Sequence, residues 1–296
     1  MKVTIIGGAG RMGRWFINYF LKGGHEITIS DKRSEEAKAI SQSMNIKLAR
    51  NNIEATKGAE IIVVSTPINV TPKVLREIYE KIPKSATVME ISSLKSQVMS
   101  ELKKIAMNGI KTLSIHPLFG PGTAETLEEK IALVPVLNPQ NELKLAKTIF
   151  PKTELVVVDV EEHDRSMALT LSLPHFMNIV FASVVGQEDI NALKKLGGPT
   201  FTIQHILSEG VMSEDPLLYS SIQIDNKFTS QFLEKFISNA VTLKQHIKEK
   251  KSRRFIQFFS DARALLLKDN EFEVAYEKMY KILEVLKKNQ KQNQTG

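Results

Sequence analysis

A short apolar run, Val3 to Ile6, leads straight into Gly7-Gly8-Ala9-Gly10-Arg11-Met12-Gly13 and then into a helix-like segment, Arg14–Leu21. A strand, a glycine turn and a helix in immediate succession constrain the fold more than any other feature of the chain. In such a unit Gly8 is expected to turn the chain sharply, Gly10 to present no side chain to a phosphate, and Gly13 to let the helix pack close to the strand. The backbone N–H groups that open the helix, at the positive end of its dipole, then face an anion. Gly8, Ala9, Gly10, Arg11, Met12 and Gly13 are therefore the expected cradle for the pyrophosphate of a dinucleotide. A second strand-like run, Glu26 to Ser30, ends at Asp31, 18 residues after Gly13. A carboxylate at that position accepts hydrogen bonds from a ribose diol and repels a 2′-phosphate, which favours NAD. Lys32 and Arg33 follow at once and offer a grip on a 2′-phosphate, so NADP stays open.

The alternation continues through the first half. Strand-like runs lie at Val3–Ile6, Ile27–Ser30, Ile61–Ser65, Thr87–Ile91, Thr112–Ile115, Ala132–Leu137 and Leu155–Val158. Several are continuous β-branched stretches, as expected of strands buried on both faces. Helix-like segments sit between them: Arg14–Leu21, Ser34–Ser43, Thr71–Lys81, Val98–Asn108 and Asn141–Ile149. Ser34, with Glu35 and Glu36 behind it, reads as an N-cap, and Pro72 suits a first helical turn. The pattern predicts an α/β Rossmann-like domain over residues 1–160, with a doubly wound, mostly parallel sheet.

After Val160 strand-like runs become scarce. Glu161–Val185, Phe228–Lys248 and Arg253–Lys288 read as long helices, with shorter pieces between about Asp189 and Asn226. This predicts an all-α domain over 161–288 that serves the substrate and dimerisation, followed by a polar, frayed tail over 289–296. Long amphipathic helices with no sheet to cover can bury their faces in a second copy or in their own core. Phe255, Phe258 and Phe259 are the aromatic cluster to watch.

Composition narrows the classes. With 42% hydrophobic and 25% charged residues the chain reads as globular. No uninterrupted apolar run approaches ~18 residues, so no membrane span is expected. The core strand at the very start leaves no room for a leader, and together these points favour the cytoplasm. The absence of cysteine removes disulfide and thiolate chemistry. The net charge of +7 is spread along the chain, which suits an anionic metabolite better than nucleic acid.

In a doubly wound sheet the site forms at the carboxyl ends of the strands. That rule selects Ser65-Thr66-Pro67, where Thr66 and Pro67 pass the cofactor, then Ser92, Ser93 and Lys95, then His116-Pro117-Leu118-Phe119-Gly120-Pro121. His116 is the candidate acid–base group, because imidazole titrates nearest neutrality. His175 lies in a helix kinked by Pro174, a feature that marks either a pocket or a structural bend. His25, His163, His205 and His246 are expected at the surface or in packing. No spacing of His, Asp and Glu suggests a metal site.

The GGAGRMG turn, the SSLK and HPLFGP segments, the SLPHF segment and Ser213-Glu214-Asp215-Pro216-Leu217-Leu218-Tyr219 together resemble the prephenate dehydrogenase family, which includes arogenate dehydrogenases. The resemblance covers nearly the whole chain, and HPLFGP in register with the glycine turn is its specific part. It implies oxidative decarboxylation of a cyclohexadienyl acid, with hydride passing to NAD(P) and carbon dioxide leaving. The product would be 4-hydroxyphenylpyruvate from prephenate, or tyrosine from arogenate. By the same resemblance His116 takes the substrate's hydroxyl proton and Ser93 orients it, while His175 and Ser92 belong to the substrate pocket. A homodimer through the C-terminal helices is expected from their amphipathic faces. One position departs from the family: the arginine usual before the Asp-Pro pair is replaced by Gly210. Either Arg165, Arg253 or Arg254 supplies the missing cation, or the substrate differs. Two other readings remain open. One is a two-domain nicotinamide enzyme of the β-hydroxyacid dehydrogenase kind, in which Lys194 or Lys195 would be catalytic. The other is a dinucleotide-sensing regulator without chemistry.

Overall fold

The structure, a computed structural model, describes residues 1–124 and 129–294; the last two residues of the polar tail lie outside the described residues. The chain divides into two compact units. One comprises Met1–Leu171 with Leu217–Lys227, the other Ser172–Pro216 with Phe228–Gly296.

The first unit is built on one eight-stranded sheet. Its strands are β1 (Lys2–Ile6), β2 (Glu26–Ser30), β3 (Lys47–Leu48), β4 (Ile61–Val64), β5 (Thr87–Glu90), β6 (Lys111–Pro117), β7 (Lys130–Leu133) and β8 (Glu154–Val157). They lie in the order β3-β2-β1-β4-β5-β6-β7-β8, and every adjacent pair is parallel except β6 with β7. Chain order reverses between β1 and β4, the switch point at which such sheets bind ligands. The Rossmann-like sheet followed by helices is thus the architecture that the alternation predicted.

Connecting helices are α1 (Arg11–Lys22), α2 (Ser34–Met44), α3 (Asn52–Ala55), α4 (Thr71–Ile78), α5 (Met99–Met107) and α6 (Pro139–Ile149). Side chains alternate across each strand. Val3 and Ile5 join Phe16, Phe20 and Phe150 in one core, while Ile6 joins Val64, Leu75 and Leu102 in the core on the opposite face. Burial on both faces is why these strands read as unbroken apolar runs.

Several boundaries differ from expectation for identifiable reasons. Ser34 is the first helical residue of α2, not its cap; Arg33 holds the cap position and donates its N–H to the Asp31 carboxylate. The strand expected at Ala132–Leu137 ends at Leu133. Pro135 brings no donor to a ladder, and the N–H groups of Val136 and Leu137 donate to the Glu142 carboxylate at 2.7 and 2.8 Å.

The run expected as one helix from Glu161 is α7 (Val160–Met167), a π turn (Ala168–Ser172) and α8 (Leu173–Val185). Pro174 carries no N–H for the carbonyl four residues earlier, and the wider turn precedes it. Val160–Val185 has the length and composition that a membrane-crossing helix would need, a test that core helices also meet. Its first turns nevertheless carry His163 and Asp164, each 1% exposed, into the protein core. The unit boundary falls at the end of the π turn, so α7 packs with the sheet, as does α11 (Pro216–Asp225).

The second unit contains α8, α9 (Ile190–Leu196), α10 (Pro199–Met212), α12 (Thr229–Lys248), α13 (Ser252–Leu266) and α14 (Ala275–Gln294). The helix expected over Arg253–Lys288 is therefore two. At the break the Asp269 carboxylate accepts the Glu271 N–H and the Asp269 carbonyl accepts that of Phe272, a local turn that competes with helix. Between α8 and α10 the Asn178 carbonyl accepts from Gln204 and Ser208 at 2.8 and 2.9 Å. Many apolar side chains of this unit remain exposed, among them Val184, Leu207, Val241, Ile256, Phe259 and Leu265.

Candidate functional site

The glycine turn sits at the switch point. Gly7, not Gly8, is the residue in the left-handed region, with φ +85°, and its N–H donates to Ser30 at the end of β2 at 2.7 Å. A Cβ on Gly7 would lie 2.2 Å from the Ser65 carbonyl, so the loop after β4 closes directly on the turn. Gly8 is required by packing instead, since its Cβ would meet Ile29 at 2.8 Å. Gly13 serves the close approach expected of it: a Cβ there would fall 2.2 Å from the Gly7 carbonyl. Helix α1 opens at Gly10 with no side-chain cap and no acidic residue in its first turn. Its N-terminus is a cradle suited to a pyrophosphate. The residues present thus fit a dinucleotide.

Asp31 lies at the far rim of that cradle with its carboxylate engaged. Oδ2 accepts the Ala9 N–H at 2.9 Å, and Oδ1 accepts the Arg33 N–H at 2.9 Å and its Nε at 3.2 Å. The Arg33 guanidinium also approaches to 3.7 Å of the point where a Gly10 Cβ would stand. Lys32 is exposed. After β4, the Thr66 hydroxyl pairs with that of Thr71 at 2.9 Å, and Pro67 is exposed.

Two strands beyond β4, β6 carries His116 near its carboxyl end, 7% exposed. Its Nδ1 lies 3.1 Å from Nε2 of His163, and Nδ1 of His163 lies 2.8 Å from Oδ1 of Asp164. Asp164 is held in turn by the N–H groups of Lys95 and Ser96, each at 2.9 Å. The fully buried Lys95 ammonium donates to Glu90 at 2.7 Å and to the Ile115 carbonyl, next to His116, at 2.6 Å. Glu90 also receives the Ser114 hydroxyl and the Ser92 N–H.

Burial lowers the pKa of His116 well below the ordinary imidazole value, and the charges of Lys95 and His163 add to the effect. Burial likewise lowers His163, outweighing its bond to Asp164. Asp164 is raised by burial but lowered more by His163 and by the backbone N–H groups of Lys95 and Ser96, and remains a carboxylate. The ring of His116 is therefore neutral near pH 7, a state that can accept a proton.

Of the predicted site residues, the sheet brings the glycine turn, Asp31, Thr66, Ser92, Ser93 and His116 to one edge. Ser93 is half-buried beside Ser92, but the ring partner of His116 is His163. Ser92 is buried with its hydroxyl directed at Thr71, so its polar groups are spent inside the unit. His175 lies in the helical unit on α8, where burial lowers its pKa to about 4. Gly210 lies on α10, where an added Cβ would touch nothing within 4 Å; Arg165, Arg253 and Arg254 are all exposed. Among the described residues no cluster of His, Cys, Asp and Glu could hold a metal ion.

In the sequence His163 reads as a surface or packing residue and Asp164 is not singled out, because Glu161, Glu162 and Arg165 surround them and suggest a solvated face. The available signal was helical spacing: His163, Asp164 and Met167 fall on one side of α7, and all three are buried.

Two family models match the chain. Residues 19–159 match "Prephenate dehydrogenase, nucleotide-binding domain" and residues 159–261 match "Prephenate dehydrogenase, dimerization domain". The glycine turn precedes the matched span, so its assignment stands on geometry. A probable arogenate/prephenate dehydrogenase of Methanocaldococcus jannaschii is 27% identical over 268 residues, covering 88% of this chain and 60% of the relative. The chain thus spans only part of that relative's length. Among solved structures, prephenate dehydrogenase from A. aeolicus, in complex with hydroxyphenyl propionate and NAD+, matches with TM-score 0.72 at 18% identity, covering 90% of this chain and 98% of that one. Synechocystis arogenate dehydrogenase matches with TM-score 0.66 at 16% identity, covering 90% and 99%.

Proposed function

The chain belongs to the prephenate dehydrogenase family, and on that premise we propose that it is an NAD-dependent dehydrogenase that oxidatively decarboxylates prephenate to 4-hydroxyphenylpyruvate. The observation that carries this reading is His116: a neutral, buried imidazole at the carboxyl end of a strand in the same sheet as the dinucleotide cradle.

In this reading the N-terminus of α1 and the Gly10 backbone hold the pyrophosphate, and Asp31 faces the adenosine ribose. NAD, when bound, supplies the hydride acceptor. His116 accepts the ring hydroxyl proton as the carbinol carbon is oxidised, then returns it to the phenolic oxygen once the ring carboxylate has left as carbon dioxide. Atoms and charge balance: one hydride is transferred, one carbon dioxide is lost, and no proton is consumed. Aromatisation drives the reaction, and the chain's tasks are positioning and proton transfer. In the same reading Ser93 orients the substrate hydroxyl, and His175, on α8, is a substrate-binding residue. The exposed apolar faces of the helical unit, with its match to a dimerisation domain, support a homodimer.

Steady-state NADH or NADPH formation tests the proposal, with prephenate and with arogenate, each offered NAD and NADP. Turnover with NAD and prephenate is expected. Arogenate as the better substrate would move the chain within the family. No turnover in any combination would refute the enzyme reading and favour the regulator. Asp31 predicts NAD over NADP, and a preference for NADP would instead assign the 2′-phosphate to Arg33.

A further inference from the structure

We infer that His163 and Asp164 are positioning residues that lock His116 in the tautomer protonated on Nδ1, leaving its lone pair on Nε2. The inference rests on His116 as the base of the proposed reaction, and follows from the hydrogen-bond inventory of the chain. Both oxygens of Asp164 hold donors that cannot turn: Oδ1 takes the Lys95 N–H and Oδ2 the Ser96 N–H. An ionised carboxylate only accepts, so the Nδ1 of His163, 2.8 Å away, must donate. In a neutral imidazole the other nitrogen is then an acceptor. Nε2 of His163 therefore accepts a hydrogen bond from the Nδ1–H of His116 across 3.1 Å. One tautomer remains for His116, and among the described residues its Nε2 has no hydrogen-bond partner.

The neutrality of both rings agrees with their burial beside Lys95. The relay is also framed at both ends by one residue. The backbone of Lys95 grips Asp164, and its ammonium grips the carbonyl of Ile115, one residue before His116. A shift of α7 relative to β6 would have to break that frame. Asp or Glu directly on His116 would raise its basicity through a full charge; an interposed neutral histidine fixes orientation without that charge.

The test uses the full chain with 15N-labelled histidine, of which there are six. Long-range 1H–15N spectra report the tautomer of His116, assigned through the His116→Asn variant. The wild type is expected to show Nδ1–H. His163→Gln, whose side-chain carbonyl can stand where Nε2 stood, should keep that tautomer and much of the turnover. His163→Leu offers no acceptor; it should release the tautomer and lower kcat by about 10²-fold with little change in KM. An Nε2–H signature in the wild type would overturn the inference, as would a His163→Leu variant that alters neither spectrum nor kcat. If the wild type turns over no substrate, the functional reading fails, while the spectra still decide whether the relay sets the tautomer.

Discussion

Replacing Lys95 with methionine removes the charge under the site while keeping most of the side chain's volume. The ammonium is fully buried between Glu90 Oε1 at 2.7 Å and the Ile115 carbonyl at 2.6 Å. Methionine fills the space of the aliphatic stem, so the cavity contribution is small. The loss is electrostatic. Stripping a buried carboxylate of its cation costs about 3–5 kcal/mol, and leaving a buried carbonyl unmet adds about 1 kcal/mol. Glu90 keeps the Ser114 hydroxyl and the Ser92 N–H as donors, which brings the expected loss to about 3–4 kcal/mol. With a urea m-value of about 2 kcal/mol/M, the midpoint falls by about 1.5–2 M. Trp15 is the single tryptophan, is 6% exposed and lies in the sheet unit, so its fluorescence reports that unit's unfolding. The double variant Glu90→Gln/Lys95→Met carries no orphaned charge and should regain about half of the loss. A single-variant loss below about 1 kcal/mol, or a double variant no more stable than Lys95→Met, would refute the ionic account of this frame.

Gly13→Ala should abolish cofactor binding and destabilise the sheet unit, because its Cβ would stand 2.2 Å from a backbone carbonyl that no rotamer change can move; calorimetric titration with NAD and urea unfolding check both effects. His175, whose folded pKa of about 4 lies below its ordinary 6.5, binds fewer protons folded than unfolded between those values. Its contribution is fully present above pH 6.5 and lost as pH falls towards 4, and His175→Gln should flatten the pH dependence of stability in that window. Gly210→Ala on α10 should stabilise the chain by about 0.5–1 kcal/mol, since the added methyl meets nothing within 4 Å and removes backbone entropy from the unfolded state. A lowered melting temperature would show that the bare position is required.

The sheet was legible because each central strand is buried on both faces and spells itself as a β-branched run. Strand β3 was not, since two residues, Lys47 and Leu48, carry no periodicity and are exposed. The glycine motif marked the turn but not which glycine makes it. Only the closing of Ser65 on Gly7 and of Ile29 on Gly8 assigns the left-handed residue to one and the packing to the other. The break before α14 carries no glycine or proline, and the Asx turn at Asp269 shows only in the hydrogen bonds. At the site, His116 could be chosen from its place at a strand end. Its partners could not, because the chain returns to β6 through α7, 47 residues later. A long-range pairing of that kind leaves no local pattern, and acidic neighbours masked the buried face of α7.

The most direct measurement is the turnover of His116→Asn. The asparagine amide can keep the donor that His116 presents to His163 while removing the lone pair of Nε2. Its kcat with NAD and prephenate is predicted to fall by about 10²–10⁴-fold, with the Kd for NAD within about twofold of the wild type. A variant with unchanged kcat would contradict the assignment of His116 as the proton acceptor, and with it the proposed mechanism.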